Sequence, residues 1–315
     1  MKVAILSFSS LVQRKVIPAL LRFPLISSID IFTRRSLDSF KNELPSSHIP
    51  ISFFTRSDFD KVKSGFYSFV YISSSNEFHL SDIESCLSTN HHTLVDKPAF
   101  LDSTSAHYYI NSYKQSNLYL HEVIPWTYHR QYSYFKSFVK NNSVTHALAT
   151  FTVPAFPPDN FRVSSSEGRG VFHDMNAYAF SLADLLSIPY STLSFSFAGD
   201  DPQNQDYFIL ESSHRQIKLF SLFGFGFPYT NRLMLSSISS SIVSDRIFSS
   251  DPSLSPPLYQ QNHPDSFMID VIDDSFYNFL SVFLNMLSSK PSPDSLFYHA
   301  ISSKYSTPIF SSLHD

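Results

Sequence analysis

Over the first 122 residues, short apolar runs alternate with segments of helical spacing, and that alternation leaves very few architectures open. The runs at 3–6, 29–32, 51–54, 69–72, 93–95 and 118–122 carry β-branched, aliphatic and aromatic residues and read as strands. Residues 13–23, 37–44, 80–88 and 106–116 carry apolar positions at helical intervals. Strand and helix in turn argue for a parallel, doubly wound sheet. A strand, a tight turn and a helix at the very start are the dinucleotide-binding arrangement.

After about residue 123 the pattern changes. Residues 145–153 alternate as a strand, 172–186 form an amphipathic helix, and 193–198, 207–212, 216–223 and 232–238 read as strands with no helices between them. Consecutive strands predict an antiparallel or mixed sheet with one face covered. Residues 251–264 hold four prolines and read as a surface connection, 266–288 as one long helix, followed by a final helical piece. The fold class expected is therefore α/β. A Rossmann domain spans 1–122, and a second α/β domain with a large, mostly antiparallel sheet spans 123–315.

Composition narrows the function classes. A formal charge of -4 provides no basic footprint for nucleic acid, and no apolar run has the length of a membrane span. The strand starting at Lys2 does not read as a signal peptide, and Cys86 is the one cysteine, so a reducing cytoplasm is expected. No cysteine cluster suggests zinc. His91 and His92 are neighbours that point to opposite faces of a strand, so no metal site is expected. Only six glycines occur, none before Gly65, where average usage of about 7% would supply over twenty. The serine-rich runs, such as residues 236–241, are interleaved with Ile and Leu and read as folded segments.

The strand at 93–95 ends in Asp96-Lys97-Pro98, which places a charged lysine at the carboxyl edge of the sheet, where ligands bind. The plainer alternative is a solvated lysine at a strand end. Thr33-Arg34-Arg35-Ser36 follows the second strand, where an acidic residue would bind the adenosine ribose hydroxyls; arginine there suits a 2′-phosphate and so NADP over NAD. A simple basic turn is the alternative.

Val95-Asp96-Lys97-Pro98 is similar to the Glu-Lys-Pro signature of the Gfo/Idh/MocA oxidoreductases, and four further segments resemble that family in order. Ser7-Phe8-Ser9-Ser10-Leu11-Val12 stands where the family has its Gly-x-Gly-x-x-Gly loop. Asn76 and His79 resemble the Pro-Asn-x-x-His segment, with Ser75 for proline, and Ser73 and Ser74 precede them. His121-Glu122 to Tyr132 resembles the next strand and crossover. Residues 168–178 resemble the opening of the catalytic helix, with Asp174 and Tyr178 at its aspartate and tyrosine positions and Asn176 for a glycine.

The resemblance implies an NAD(P)-dependent oxidoreductase acting on a sugar or nucleotide-sugar, and a homodimer or homotetramer joined through the open sheet. It implies that Lys97 contacts substrate and nicotinamide and that Glu122 lies near the nicotinamide. The cofactor set is then Ser7, Ser9, Ser10, Leu11, Thr33, Arg34, Arg35, Ser73, Ser74, Asn76, His79, Asp96, Lys97 and Glu122. Hydride transfer belongs to the cofactor, and the chain must move the hydroxyl proton. Lys97 and Tyr178 are the acid-base candidates, and Asp174, four residues before Tyr178 on one helix face, is the orienting group. Tyr128, His129 and Arg130 read equally as pocket lining or as a surface loop. Core packing for Tyr178 and a helix-terminal charge for Asp174 are the plainer readings. The missing glycines favour a second hypothesis, a non-catalytic relative with weakened cofactor binding that serves as a binding or assembly partner.

Overall fold

The computed structural model describes residues 1–35, 46–157, 160, 162, 170–198, 206–249, 257–262, 266–270, 272–289, 304–307 and 309–312. The expected helix at 37–44, Ser36, and residues 168–169 and 251–256 lie outside them. Two compact units divide the chain: Met1–Val123 together with Phe279–Asp315, and Ile124–Asn278. A boundary after residue 122 was expected; the return of the chain to the first unit at Phe279 was not.

The first unit is built on six parallel strands, β1 (Lys2–Leu6), β2 (Ser28–Thr33), β3 (Ile51–Thr55), β4 (Phe69–Ile72), β5 (Thr93–Asp96) and β6 (Leu120–Val123), in the order β3-β2-β1-β4-β5-β6. Ala4 of β1 lies between Asp30 of β2 and Val70 of β4. The chain winds outward from β1 on one side and from β4 on the other, so the loops after these two strands diverge at a topological switch point. Val3 to Leu6 and all of β4 are buried, as expected of strands covered on both faces. The helix after β1 opens with a π-helical turn, Val12–Val16, before the α-helical α1 (Ile17–Leu20). Further helices are α2 (Arg56–Phe59), α3 (Asn76–Ser88) and α4 (Ser103–Gln115), the last capped by Asp102, which accepts the Ser105 N–H at 2.7 Å.

The second unit carries α5 (Arg130–Asn141), α6 (Gly170–Leu185) and an eight-stranded mixed sheet: β7 (His146–Val153), β8 (Ser194–Ala198), β9 (Tyr207–His214), β10 (Ile217–Phe225), β11 (Thr230–Ser236), β12 (Ser240–Asp245), β13 (Pro257–Asn262) and β14 (Ser266–Asp270). Its order is β14-β13-β12-β11-β7-β10-β9-β8, with β7 and β10 parallel and every other pair antiparallel. One face packs on α5 and α6. On the other, Met268, Tyr259, Val243, Met234, Leu148 and Phe220 stand in register across six strands. Four of them, Met268, Tyr259, Leu148 and Phe220, are exposed.

Two expectations need correction here. Residues 257–262, read as surface connection, form β13, with Pro257 at the first strand position, where a missing N–H is tolerated. Residues 266–288, read as one helix, split into β14 and α7 (Ser275–Ser289). Asp274 sets the break, because its Oδ1 accepts the N–H groups of Phe276 and Tyr277, each at 3.1 Å. From there Phe276, Phe279, Leu280, Phe283 and Leu284 form one buried stripe. Phe283 meets Phe69 of β4 edge-on at 5.2 Å, and Phe279 stacks on His121 of β6.

Candidate functional site

The loop after β1 keeps a glycine's backbone without a glycine. Ser7 has φ +81° and donates its N–H to the Phe32 carbonyl at the end of β2, 2.7 Å away. A side chain there costs about 1–3 kcal/mol, a strain that concentrates at functional sites. Ser9 accepts the Val12 N–H at 3.1 Å and shares a 2.8 Å hydrogen bond with the Ser73 hydroxyl, which in turn donates to the Asp96 carboxylate. The Tyr71 hydroxyl donates to the other Asp96 oxygen at 2.6 Å. A chain of side chains thus links the ends of β1, β4 and β5. Burial raises the Asp96 carboxyl above the usual carboxylate range, and the Ser73 and Tyr71 hydroxyls offset part of that. Ser10 is exposed, Leu11 is half-buried, and Val12, at the third glycine position, is buried where the π-helical turn begins.

The second loop follows β5 and carries Lys97, which is half-buried. Each backbone group after it is held by a different element. The Pro98 carbonyl meets Nδ1 of His79 on α3 at 2.7 Å, and the Nε2 of that ring meets the Ser74 carbonyl at 2.9 Å. The Ala99 N–H donates to Glu122 Oε1 on β6 at 3.0 Å. The Phe100 N–H donates to the Tyr305 hydroxyl at 3.0 Å. Glu122 is buried and receives the Lys304 ammonium at 2.8 and 3.1 Å. Its carboxylate is therefore occupied by the loop and by the returning C-terminal segment.

Thr33 ends β2, and its hydroxyl accepts the Arg35 N–H at 3.1 Å, leaving Arg35 exposed. Arg34 lies over the Phe78 ring at 4.1 Å and donates to Asp82 at 2.9 Å. Buried Asp82 also pairs with Arg56 at 2.9 Å and accepts the Ser74 hydroxyl at 2.6 Å. Arg56 also pairs with Asp60 at 2.9 Å, so two guanidinium groups meet two carboxylates beside the end of β2. Asn76 opens α3 and is buried. Among the described residues no group of three His, Cys, Asp or Glu side chains is placed to hold a metal. His91 and His92 each accept a backbone N–H, from Tyr67 and Tyr119.

In the second unit, Asp174 and Tyr178 lie one turn apart on α6. Asp174 is nearly buried and pairs with Arg162 at 3.6 Å. The Tyr178 ring packs edge-on against Phe151 at 5.1 Å and near Phe248 at 5.5 Å, which fixes its ring. Asn176, where the resembling family has glycine, is buried with its side-chain oxygen unbonded. Tyr128 ends a short 3-10 helix, His129 caps α5 and Arg130 opens it: His129 Nδ1 accepts the Gln131 N–H, the Arg130 N–H donates to Asp273, and the Tyr128 carbonyl accepts from Asn278.

No family profile and no curated protein sequence matches this chain. Solved structures do. KijD10, a 3-ketoreductase from Actinomadura kijaniata in complex with NADP and TDP-benzene, superposes with a TM-score of 0.84 at 17% identity, covering 100% of this chain and 97% of that one. The fold is that of the Gfo/Idh/MocA oxidoreductases. A member from Vibrio cholerae matches with a TM-score of 0.76 at 13% identity over 100% of this chain and 98% of its own. An aldose-aldose oxidoreductase from Caulobacter crescentus complexed with glycerol reaches 0.82 at 13% identity, covering 99% and 97%. Within this fold Lys304 and Tyr305 are buried neighbours of the Lys97 loop that sequence reading missed, since Lys304 lies 182 residues from Glu122.

Proposed function

We propose that this chain is an NADP-dependent oxidoreductase that acts by hydride transfer on a sugar, most specifically a nucleotide-linked ketosugar and its alcohol. The observation that carries the reading is Ser7: a serine held at φ +81° preserves the turn of a dinucleotide loop at an energetic cost. KijD10, of the same fold, is a ketoreductase held with NADP and a TDP compound.

In this reading the loop 7–11, with Ser73, Ser74, Asn76 and His79, holds the dinucleotide, and Asp96 sets their spacing. Arg34 and Arg35 at the end of β2 take the 2′-phosphate. The bound nicotinamide supplies or accepts the hydride. Lys97 orients the substrate oxygen and is one acid-base group; Tyr178, whose ring Phe151 and Phe248 hold in place, is the other. Asp174 fixes the approach to Tyr178 from one turn away on α6. Glu122 serves the site by holding the Lys97 loop through the Ala99 N–H.

The partner is a second copy of the chain. The in-register apolar row on the open sheet face ends beside Glu211 and Lys218, of opposite charge on neighbouring strands, so a two-fold pairing of two such faces is self-complementary. The test of the reaction is NADPH consumption with TDP-linked 3- and 4-ketosugars and with free ketoses as probes. Turnover with the TDP-linked probes, faster with NADPH than NADH, is expected. No consumption with any probe, by protein that binds NADPH, would leave a binding protein.

A further inference from the structure

We propose that Lys304 and Tyr305 are positioning residues for Lys97, forming with Glu122 a latch that holds the loop after β5 in its working place. This rests on the reading of Lys97 as a group of the active site.

Lys304 and Glu122 form an ion pair that stability alone does not explain. Lys304 and Glu122 side chains are 3% and 1% exposed. Two charges removed from water roughly cancel the gain of their pairing, and apolar residues serve a core as well. The pair does something an apolar pair could not: Glu122 Oε1 also accepts the Ala99 N–H, two residues from Lys97. The next N–H, of Phe100, is accepted by Tyr305, whose hydroxyl lies 3.4 Å from the same Glu122 oxygen. Tyr305 is itself fixed by Phe100 at 5.5 Å and Phe310 at 4.8 Å. Two adjacent amides of one loop thus depend on a segment from the far end of the chain.

The same segment places charge near Lys97. The Lys304 ammonium faces Glu122, the rings of Tyr305 and Phe310, and the like charge of Lys97. Burial lowers Lys304, Glu122 pulls it back up, and Lys97 lowers it further.

The test reads Lys97 itself. The full-length protein is acylated with acetic anhydride across a pH series, and the rate at Lys97 is followed by peptide mass spectrometry. Lys136, exposed on α5 in the second unit, serves as the internal reference. Tyr305→Phe leaves the Phe100 N–H without its acceptor, and a plateau rate at Lys97 raised by about threefold or more is expected. Lys304→Gln removes the partner that holds Glu122 against the Ala99 N–H, and a raised plateau rate at Lys97 is expected there too. If Lys304→Gln does not fold, the paired Glu122→Gln/Lys304→Met variant removes both charges and keeps an oxygen for Ala99; it too is expected to alter the Lys97 profile. A plateau rate equal to wild type in the folded variants would overturn the latch. Altered Lys97 profiles in a protein that neither binds nor consumes NADPH would keep the latch and remove the enzymatic reading.

Discussion

Two loops at the same edge of one parallel sheet have reached a held conformation by opposite means. The loop after β1 keeps the backbone of a glycine turn while every glycine is gone, and Ser7 bears the strain at φ +81°. The loop after β5 keeps its lysine, and its backbone is fixed from outside by His79, Glu122 and Tyr305. The first is held by a strained backbone and the neighbouring strand ends, the second also by the far end of the chain. A change in the first should therefore act on cofactor affinity, and a change in the second on turnover.

Lys97→Ala tests the difference at its largest. Turnover should fall by about 100-fold or more, the range of a lost acid-base group, while the dissociation constant of NADPH stays near wild type. Steady-state kinetics beside a fluorescence titration measure both, and equal loss in the two would merge the loops into one function. Glu122→Ala comes next. It strands the Lys304 ammonium in the interior, and urea unfolding should show about 3–5 kcal/mol of lost stability. A loss below about 1 kcal/mol would mean that the latch is not closed in solution.

Asp96 belongs to both loops, and pH separates its contribution. Burial raises its folded pKa above the usual 3.8, so the folded chain holds this proton more firmly than the unfolded chain. Its stabilising effect is then complete below 3.8 and declines as pH rises through the folded value. Urea midpoints of the wild type against Asp96→Asn should diverge in that direction through the acid range and run parallel above it. A wild type that gains on the variant as pH rises would reverse the sign and the assignment.

The smallest effect is expected at Ser7. Ser7→Gly removes the strain and should add about 1 kcal/mol of stability, with NADPH binding equal or tighter. Lower stability would show that the turn is not held at positive φ.

Much of this was legible in the sequence, and the rest was hidden for identifiable reasons. Short, largely apolar runs, four of them followed by a helical segment, marked all six strands of the first sheet, and Pro98 marked the end of the strand carrying Lys97. The strands β7 to β11 were legible because apolar residues alternate along them. β12, β13 and β14 were not, because serines and prolines interrupt the pattern and the pairing that makes them strands is long-range. α5 was missed because its start is marked by a histidine cap, His129, and not by the residues that usually announce a helix. The start of α7 carries a local sign, the capping aspartate Asp274. Lys304 and Tyr305 carried no local sign at all. Only the return of the chain to the first unit brings them to Glu122.

The measurement that bears most directly on the account is a thermal-shift series with NADPH, NADP, NADH and NAD on the wild-type chain. At about 100 times its dissociation constant a ligand adds about 2.7 kcal/mol, so a clear rise in melting temperature with the phosphorylated pair, larger than with NADH or NAD, is expected. An unchanged melting temperature with all four would mean that the loop after β1 keeps the shape of a dinucleotide turn and holds no dinucleotide.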